Sequence, residues 1–141
     1  MAVSKKLWSR NDEITRDYLK FLDEHIAAIV SGSETEMLHI NEIAQRLFIS
    51  PVHLSNTIKL ATGHHPCYYY DLKIIAAANL LLLETNFSAS EIARRLTFDP
   101  SNFVKFYRSL TGITPTQFRL EKKLPDILPI ETKTYHRAEK A

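Results

Sequence analysis

An internal repeat constrains this chain more than any other feature of its sequence. Residues 42–70 align without a gap onto residues 91–119, which lie 49 positions further along. Nine of the 29 aligned positions are identical, where about two would match by chance. The identical pairs are Glu42/Glu91, Ile43/Ile92, Ala44/Ala93, Arg46/Arg95, Leu47/Leu96, Pro51/Pro100, Thr62/Thr111, Gly63/Gly112 and Pro66/Pro115. Because a solenoid needs at least about three repeats, two copies predict a paired unit within one domain.

Each copy has the pattern of two short helices joined by a tight turn. In the first copy, Ile43 and Leu47 lie four residues apart, as on one face of a short amphipathic helix. Ser50 can then cap a second helix that begins with Pro51 and ends at Gly63, a residue that suits a left-handed C-terminal cap. The second copy carries an equivalent pattern 49 positions on. Two short helices with a turn of three or four residues are typical of a helix-turn-helix unit.

The packing of each unit follows from its small and apolar residues. Ala44 and Ala93 stand where the two helices of a unit cross, because a larger side chain there would push the helices apart. An apolar stripe on each second helix should face the core. We expect this stripe to contain Leu54, Ile58 and Ala61 in the first copy, and Phe103, Phe106, Tyr107 and Leu110 in the second.

Three further helices frame the two units. The spacing of apolar residues predicts a first helix over residues 12–30, capped by Asn11. A linker helix over residues 66–83 has isoleucine, alanine and leucine on nearly all sides, which predicts that it is buried. A last short helix runs over residues 115–122. We therefore predict an all-α fold of about seven helices, in which two helix-turn-helix subdomains are joined by a central linker helix.

The expected domain boundaries follow from these helices. In chain order, we assign residues 1–11 to an N-terminal tail and residues 12–123 to the domain, with a first unit at 12–65, the linker helix at 66–83 and a second unit at 88–123. Residues 124–141 contain Pro125 and Pro129 and show no helical period, which predicts an irregular C-terminal tail.

Composition limits the location and the chemistry of the chain. Its 141 residues are 45% hydrophobic and 24% charged, as in an ordinary globular protein. Residues 1–6 have no apolar stretch behind them, and no apolar run approaches the ~20 residues of a bilayer span, so we expect a cytoplasmic protein without membrane contact. The single cysteine, Cys67, excludes an internal disulfide and a four-cysteine zinc site.

The net charge of +2 is unevenly distributed along the chain. Residues 1–37 contain five basic and seven acidic residues, a balance of −2, whereas residues 88–123 contain seven basic and three acidic residues, a balance of +4. Binding to phosphates requires a local basic excess, although many such stretches are only solvated faces. Charge alone therefore does not identify a partner.

The outward faces of the two second helices carry the residues that we expect to meet DNA. They are Val52, His53, Ser55, Asn56 and Lys59 in the first copy, and Ser101, Asn102, Val104, Lys105 and Arg108 in the second. Asparagine pairs with adenine, lysine with guanine, and valine contacts the thymine methyl group. Side chains further from the bases hold the phosphates. We assign these DNA-backbone contacts to His53, Lys59, Arg108 and Thr114.

The length of the linker helix sets the separation of these two faces. Eighteen residues of helix span about 27 Å, so the two second helices can lie roughly 34 Å apart, one turn of DNA. One monomer would then enter two successive major grooves of a duplex. Because the two faces differ, its binding site is expected to be asymmetric.

This pattern resembles that of the AraC/XylS-type transcription regulators over residues 12–122. The residues that carry the resemblance are Ile43, Ala44, Leu47, Ser50, Pro51, Leu54, Thr62, Gly63 and Pro66, followed by Ile92, Ala93, Phe98, Pro100, Ser101, Asn102, Phe103, Thr111, Gly112, Thr114, Pro115, Phe118 and Arg119. The resemblance implies a seven-helix domain that binds double-stranded DNA and usually activates transcription by contacting RNA polymerase. It places base contacts at Val52, Ser55, Asn56, Ser101, Asn102 and Lys105.

The resemblance also bears on how the chain is assembled. Members of this family often carry a separate sensing or dimerising domain. We expect a monomeric DNA-binding domain, which would dimerise only through such an additional domain. The chain is then either a short regulator in its own right or a piece of a longer one.

Two departures from the family pattern affect the expected contacts. Phe48 and Thr97 stand where each turn usually has glycine. Because a β-branched residue disfavours a positive φ, Thr97 predicts that the second recognition helix starts or tilts differently from the usual second unit of the family. Ser55 is short, and Asn56 stands where the family often has arginine, so we expect weak or water-mediated base contacts from the first unit.

Two other classes of function have some support in the sequence. The stretch His64–Cys67 resembles a metal or nucleophile cluster, but ligands this close together cannot easily converge, and its repeat partners at residues 113–116 indicate a structural position. Without a glycine-rich phosphate loop or a zinc-protease motif, we expect no catalysis, no cofactor and no bound metal. The other alternative is a helical protein-interaction module that uses Tyr68–Tyr70 and the linker helix. A buried connector explains these residues better.

Overall fold

Seven helices make up the part of the chain that the computed structural model describes, residues 9–121. They are α1 (Arg10–Ser31), α2 (Ile40–Arg46), α3 (Pro51–Thr62), α4 (Pro66–Glu84), α5 (Ala89–Arg95), α6 (Pro100–Thr111) and α7 (Pro115–Glu121). These residues contain no strand, so the all-α class and the arrangement of two helix-turn-helix units around a linker helix are confirmed. The expected tail at residues 124–141 lies outside the described residues, as do residues 1–8.

Helix α1 begins earlier than the sequence pattern predicted. Its N-cap is Ser9 rather than Asn11. The Ser9 hydroxyl accepts a 3.0 Å hydrogen bond from the amide of Asp12, and the Asp12 carboxylate accepts a 3.5 Å bond from the amide of Ser9. This capping box satisfies donors at both ends of the first turn. Arg10 and Asn11, which we had assigned to the tail, therefore belong to the first helix.

One hydrophobic core runs through both units. Its largest fully buried side chains are Tyr18, Leu22 and Ile29 from α1, Ile43, Leu54 and Ile58 from the first unit, Ile75 from α4, and Ile92, Leu96, Phe103, Tyr107 and Phe118 from the second unit. Ala61 does not join this core, contrary to expectation, and Thr57 is buried instead. Ala61 borders a shallow surface groove beside α1, which its single methyl group does not fill.

Helix α4 contacts both units, and the expectation that it is buried is confirmed for nine of its residues but was wrong for one side of the helix. It packs against α1 and α3 in the first unit and against α5 and α7 in the second. The remaining face is open, and Leu80 on that face is 54% exposed. None of the helices in residues 9–121 combines the length and the apolar character that crossing a membrane requires.

Hydrogen bonds attach α4 to each unit. Near its start, the Tyr18 hydroxyl donates to the carbonyl of Pro66 at 2.8 Å. Burial, followed by nearby acidic groups, raises the pKa of Tyr18 far above its usual value and keeps it a donor. Near its end, Arg119 of α7 donates to the carbonyls of Leu82 at 3.0 Å and Thr85 at 3.1 Å. The linker is therefore fixed to the first unit at one end and to the second at the other.

Candidate nucleic-acid interface

The two recognition helices are built by equivalent residues. Helices α3 and α6 each have 12 residues, and each begins with a proline and ends before a glycine in the left-handed conformation. Ser50 caps α3 by accepting a 3.1 Å bond from the amide of His53. Asp99 caps α6 by accepting bonds from the amides of Ser101 and Asn102 at 3.2 and 3.4 Å. The 49-residue offset of the sequence repeat is therefore preserved in the structure.

Both turns place a non-glycine residue at positive φ. Phe48 has a φ of 61° and Thr97 has a φ of 68°. Each turn then closes on the buried alanine, because the amide of Ile49 bonds to the carbonyl of Ala44 at 3.0 Å and the equivalent bond of the second unit is 2.8 Å. Thr97 adopts a conformation that a β-branched residue disfavours, and α6 begins three residues after it, as α3 begins three residues after Phe48. The difference in start or tilt from the second unit of the family stays a prediction.

The residues expected to contact DNA lie on the outer sides of α3 and α6. Val52 is 71% exposed. His53, Asn56 and Lys59 on α3 and Ser101, Asn102, Lys105 and Arg108 on α6 are also exposed, whereas Ser55, Val104 and Thr114 are half-buried. The positions 52, 56 and 59, like 101, 105 and 108, have the spacing that places side chains on one face of a helix. Each helix therefore presents one outward face, and the two faces differ in chemistry.

Asp99 introduces a negative charge at the start of α6. Its carboxylate accepts a 2.6 Å bond from the Ser101 hydroxyl in addition to the two amide bonds. These bonds, from the Ser101 side chain first and then the Asn102 amide, together with the charge of Lys105, lower the pKa of Asp99. The carboxylate is therefore ionised near neutral pH. Because the Ser101 hydroxyl already donates its hydrogen to this carboxylate, the Ser101 oxygen can take part in a further hydrogen bond only as an acceptor.

Thr114 serves as a helix cap. Its hydroxyl accepts a 3.1 Å bond from the amide of Gln117, and the Gln117 side chain accepts a 2.8 Å bond from the amide of Thr114. His65 is also a helix cap, because its Nδ1 accepts a 3.2 Å bond from the amide of Cys67 at the start of α4. His64 stacks on Tyr68 with 4.0 Å between the ring centres. The His64–Cys67 stretch is thus part of the framework at the start of α4.

Part of the basic excess in the second unit is used inside the domain. Arg95 pairs with Glu91 at 3.2 Å and lies 4.1 Å from the ring centre of Phe87. Arg119, as described above, holds the end of α4. Arg94 is exposed and forms no ion pair within residues 9–121, and sequence reasoning assigned it no contact. Arg94 aligns with Gln45 in the repeat, and both side chains are exposed on the first helix of their unit. This shared exposed position could have marked Arg94 as a candidate phosphate contact from the sequence.

Comparison with known proteins decides the family. Residues 43–121, more than half of the chain, match the model of a family described as a helix-turn-helix domain. The fold is similar to that of the C-terminal domain of AraT, a response regulator from Geobacillus stearothermophilus, with a TM-score of 0.69 and 26% identity. The match covers 91% of this chain and 97% of that one. The chain belongs to the AraC-type helix-turn-helix family. It is a DNA-binding domain of a transcription regulator.

Two further proteins, one compared by sequence and one by structure, are similar to this AraC-type domain. It is 30% identical over 105 residues to YtdP, an uncharacterized HTH-type transcriptional regulator of Bacillus subtilis, and the match covers 74% of this chain. The chain spans only 14% of the length of YtdP, and 34% of the length of a second matching regulator. Its fold is also similar to the DNA-binding domain of AdpA, whose structure was solved with a target DNA, with a TM-score of 0.63, 20% identity, and coverage of 76% of this chain and 90% of that one.

Proposed function

We propose that this AraC-type domain binds a specific, asymmetric DNA site by placing α3 and α6 in two successive major grooves. The observation that supports the proposal is the pair of exposed faces, in equivalent positions on two helices that a single linker helix joins. The 19 residues of α4 span about 28 Å. With the width of the flanking units, the two faces reach the roughly 34 Å that separates successive turns of B-form DNA.

The proposed contacts divide into two chemical groups. Base edges are read by Val52, Ser55, Asn56, Ser101, Asn102 and Lys105, and the phosphates are held by His53, Lys59, Arg108 and Thr114, to which we add the exposed Arg94. Lysine matches the acceptors of guanine, and asparagine those of adenine. The recognition face of α3 has one lysine, whereas that of α6 has Lys105 and Arg108. The second unit therefore supplies more of the sequence-independent attraction to phosphate.

The regulatory role of the domain is also a proposal. The domain, which we place at residues 12–123 together with the start of α1, acts as an activator that contacts RNA polymerase once it is bound to DNA. Because its partner is the chromosome, it works in the bacterial cytoplasm. It binds as a monomer, and dimerisation requires an additional domain of the kind that longer family members carry.

Selection of binding sites from random duplexes with the purified chain tests this proposal. We expect an asymmetric site with two different short elements, centred about 10 base pairs apart. Contact with about six phosphates predicts a slope near −5 when the logarithm of the binding constant is plotted against the logarithm of salt concentration. A palindromic site or a single element would contradict the two-groove arrangement. Absence of any DNA binding would favour the protein-interaction alternative.

A further inference from the structure

The side chain of Phe48 takes no part in the packing of the domain. It is 96% exposed, and among the exposed large apolar side chains of residues 9–121 it is the most exposed and the only aromatic one. Its φ of 61° lies in the left-handed region, which is unfavourable for a residue with a β-carbon. The exposed ring and the strained backbone therefore both oppose folding. Strain that a fold retains without a gain in packing favours a role in binding.

The backbone around Phe48 is held by hydrogen bonds. The amide of Phe48 bonds to the carbonyl of Gln45 at 3.0 Å, and the amide of Ile49 bonds to the carbonyl of Ala44 at 3.0 Å. Ser50 follows as the cap of α3. Because two residues of chain span at most about 7 Å, the α-carbon of Phe48 lies within that distance of the cap. The ring therefore projects from an ordered turn at the start of the first recognition helix.

Phe48 and Val52 differ from their repeat partners in the same way. Val52 lies four residues further on and is 71% exposed. The repeat partners of the two residues are Thr97 and Ser101, so both positions are apolar in the first unit and both carry hydroxyl groups in the second. All four side chains are exposed. This paired change indicates that the turn and the start of the recognition helix belong to one surface, which is apolar in the first unit.

The turn before α3 would lie at the edge of a major groove that α3 occupies. A helix with its side chains is about 10–12 Å across and the major groove is about 12 Å wide, so the helix fills the groove. The start of a recognition helix is the part that reaches the base edges. A turn directly before that start therefore lies beside the groove wall. The apolar groups at this edge are thymine methyl groups and deoxyribose carbons.

The first unit has few other side chains that could attract DNA strongly. Its recognition face has one lysine, whereas that of α6 has Lys105 and Arg108. Ser55 is short and half-buried. An aromatic ring needs no opposite charge to bind, because removal of its surface from water is itself favourable. Phe48 would therefore add affinity to the unit that has less electrostatic attraction to phosphate.

We propose that Phe48 is a DNA contact of the first unit, with its ring packed on thymine methyl groups or deoxyribose carbons at the edge of the groove that α3 enters. Together with Val52 it forms an apolar contact surface. Such a contact rests on the proposed function, because α3 must lie in a major groove for it to form. Glycine at position 48 would relieve the strain but would have no side chain to make the contact.

Variants that relieve the strain and remove the ring test this contact. Phe48→Gly and Phe48→Asn both suit a positive φ, so neither should lower the melting temperature. Each should weaken binding to the selected site about five- to tenfold in fluorescence anisotropy, because part of a phenylalanine side chain is no longer buried. The matched control is Leu120→Ala, which removes a 77% exposed leucine from α7, a helix with none of the proposed contacts. It should bind like the parent chain.

Duplexes with uracil in place of thymine separate the two sources of apolar carbon. If the ring contacts a thymine methyl group, one such substitution in the first element should weaken the parent chain but not Phe48→Gly. If the ring contacts deoxyribose, the loss caused by Phe48→Gly should persist on every uracil duplex. Either pattern supports a DNA contact at Phe48 and identifies its partner.

Equal affinity of the parent chain and both Phe48 variants for the selected site would overturn the proposed contact. The exposed ring would then be available to a protein partner instead. In that case DNA binding and the two-element site still stand, so the proposed function survives. A chain that binds no duplex would overturn the proposed function, and the Phe48 contact with it.

Discussion

The hydroxyl of Tyr107 in α6 donates a 2.5 Å hydrogen bond to the side-chain oxygen of Asn79 in α4. Both residues are buried, and burial raises the pKa of Tyr107, so the hydroxyl keeps its proton. Tyr107 lies between the exposed Lys105 and Arg108 in sequence but faces the core. The bond therefore connects the inner side of the second recognition helix directly to the linker helix.

Removal of this bond should destabilise the domain. Tyr107→Phe leaves the Asn79 oxygen buried without its donor, which should lower the free energy of unfolding by about 1–3 kcal/mol in urea denaturation. The double variant Tyr107→Phe, Asn79→Leu replaces both polar partners with apolar groups and should recover part of this loss. If Tyr107→Phe unfolds like the parent chain, the bond does not hold α6 to α4.

Glycine in the second turn should stabilise the domain. Thr97 adopts a φ of 68°, which is unfavourable for a residue with a β-carbon. Thr97→Gly removes this strain, but it also gives the unfolded chain more conformational freedom, which offsets part of the gain. The net expectation is an increase of about 0.5–1 kcal/mol in the free energy of unfolding. Thr97→Ala keeps most of the strain and is the matched control. A glycine variant no more stable than the alanine variant would contradict this account.

The charge of Asp99 should weaken binding to DNA. Asp99→Ser retains a capping side chain, as Ser50 has in the first unit, but removes a negative charge from the start of α6. We expect affinity for cognate and random duplexes to rise together, several-fold at low salt and less at high salt. Fluorescence anisotropy measures both. Asp99→Ala is the control for the cap, and it should lower the melting temperature.

Lys105 and Arg108 should differ in their effect on specificity. Lys105→Ala should reduce affinity for the selected site by about 1–3 kcal/mol and relax the preference for one base. Arg108→Ala should weaken all sequences alike and reduce the salt slope by about one. Competition assays with singly substituted duplexes separate the two. Equal losses on selected and random duplexes for Lys105→Ala would show that it contacts phosphate.

The first unit should lose stability in mild acid because of His25. Its Nε2 accepts a 3.1 Å bond from the amide of Leu38, and burial is the main cause that lowers the pKa of His25. The neutral ring is thus preferred in the folded state. The contribution is complete above the ordinary histidine pKa of about 6.5 and declines as the pH falls below it. Urea denaturation between pH 7.5 and 5 should show this decline, and His25→Gln should make it less steep.

Much of this fold could be predicted because its local signals agree with one another. Ser50 and Pro51 mark the start of α3, and Gly63 marks its end, and the same types of signal recur in the second unit. The crossing alanines and the buried faces of α3 and α6 follow from the same pattern, except that Thr57 rather than Ala61 is buried in α3. The repeat made these predictions stronger, since each unit served as a check on the other.

Other features depend on neighbours that the sequence does not identify. The cap of α1 is an exception, because Ser9 and Asp12 have the spacing of a capping box in the sequence, and the prediction of Asn11 as the cap overlooked that signal. Leu80 is as apolar as Leu82, but nothing in a helix that is apolar on all sides tells which face other helices cover. Arg119 adds to the basic excess of residues 88–123, although its guanidinium donates to two carbonyls at the end of α4.

The single continuous helix between the two units has a consequence for the evolution of such a domain. One residue inserted into α4 would rotate the second unit by about 100° and advance it by only 1.5 Å. Small insertions would therefore point the two outward faces in different directions long before they altered the separation. New binding preferences must instead arise by exchange of side chains at positions such as Asn56 and Lys105, with the length of the helix held constant.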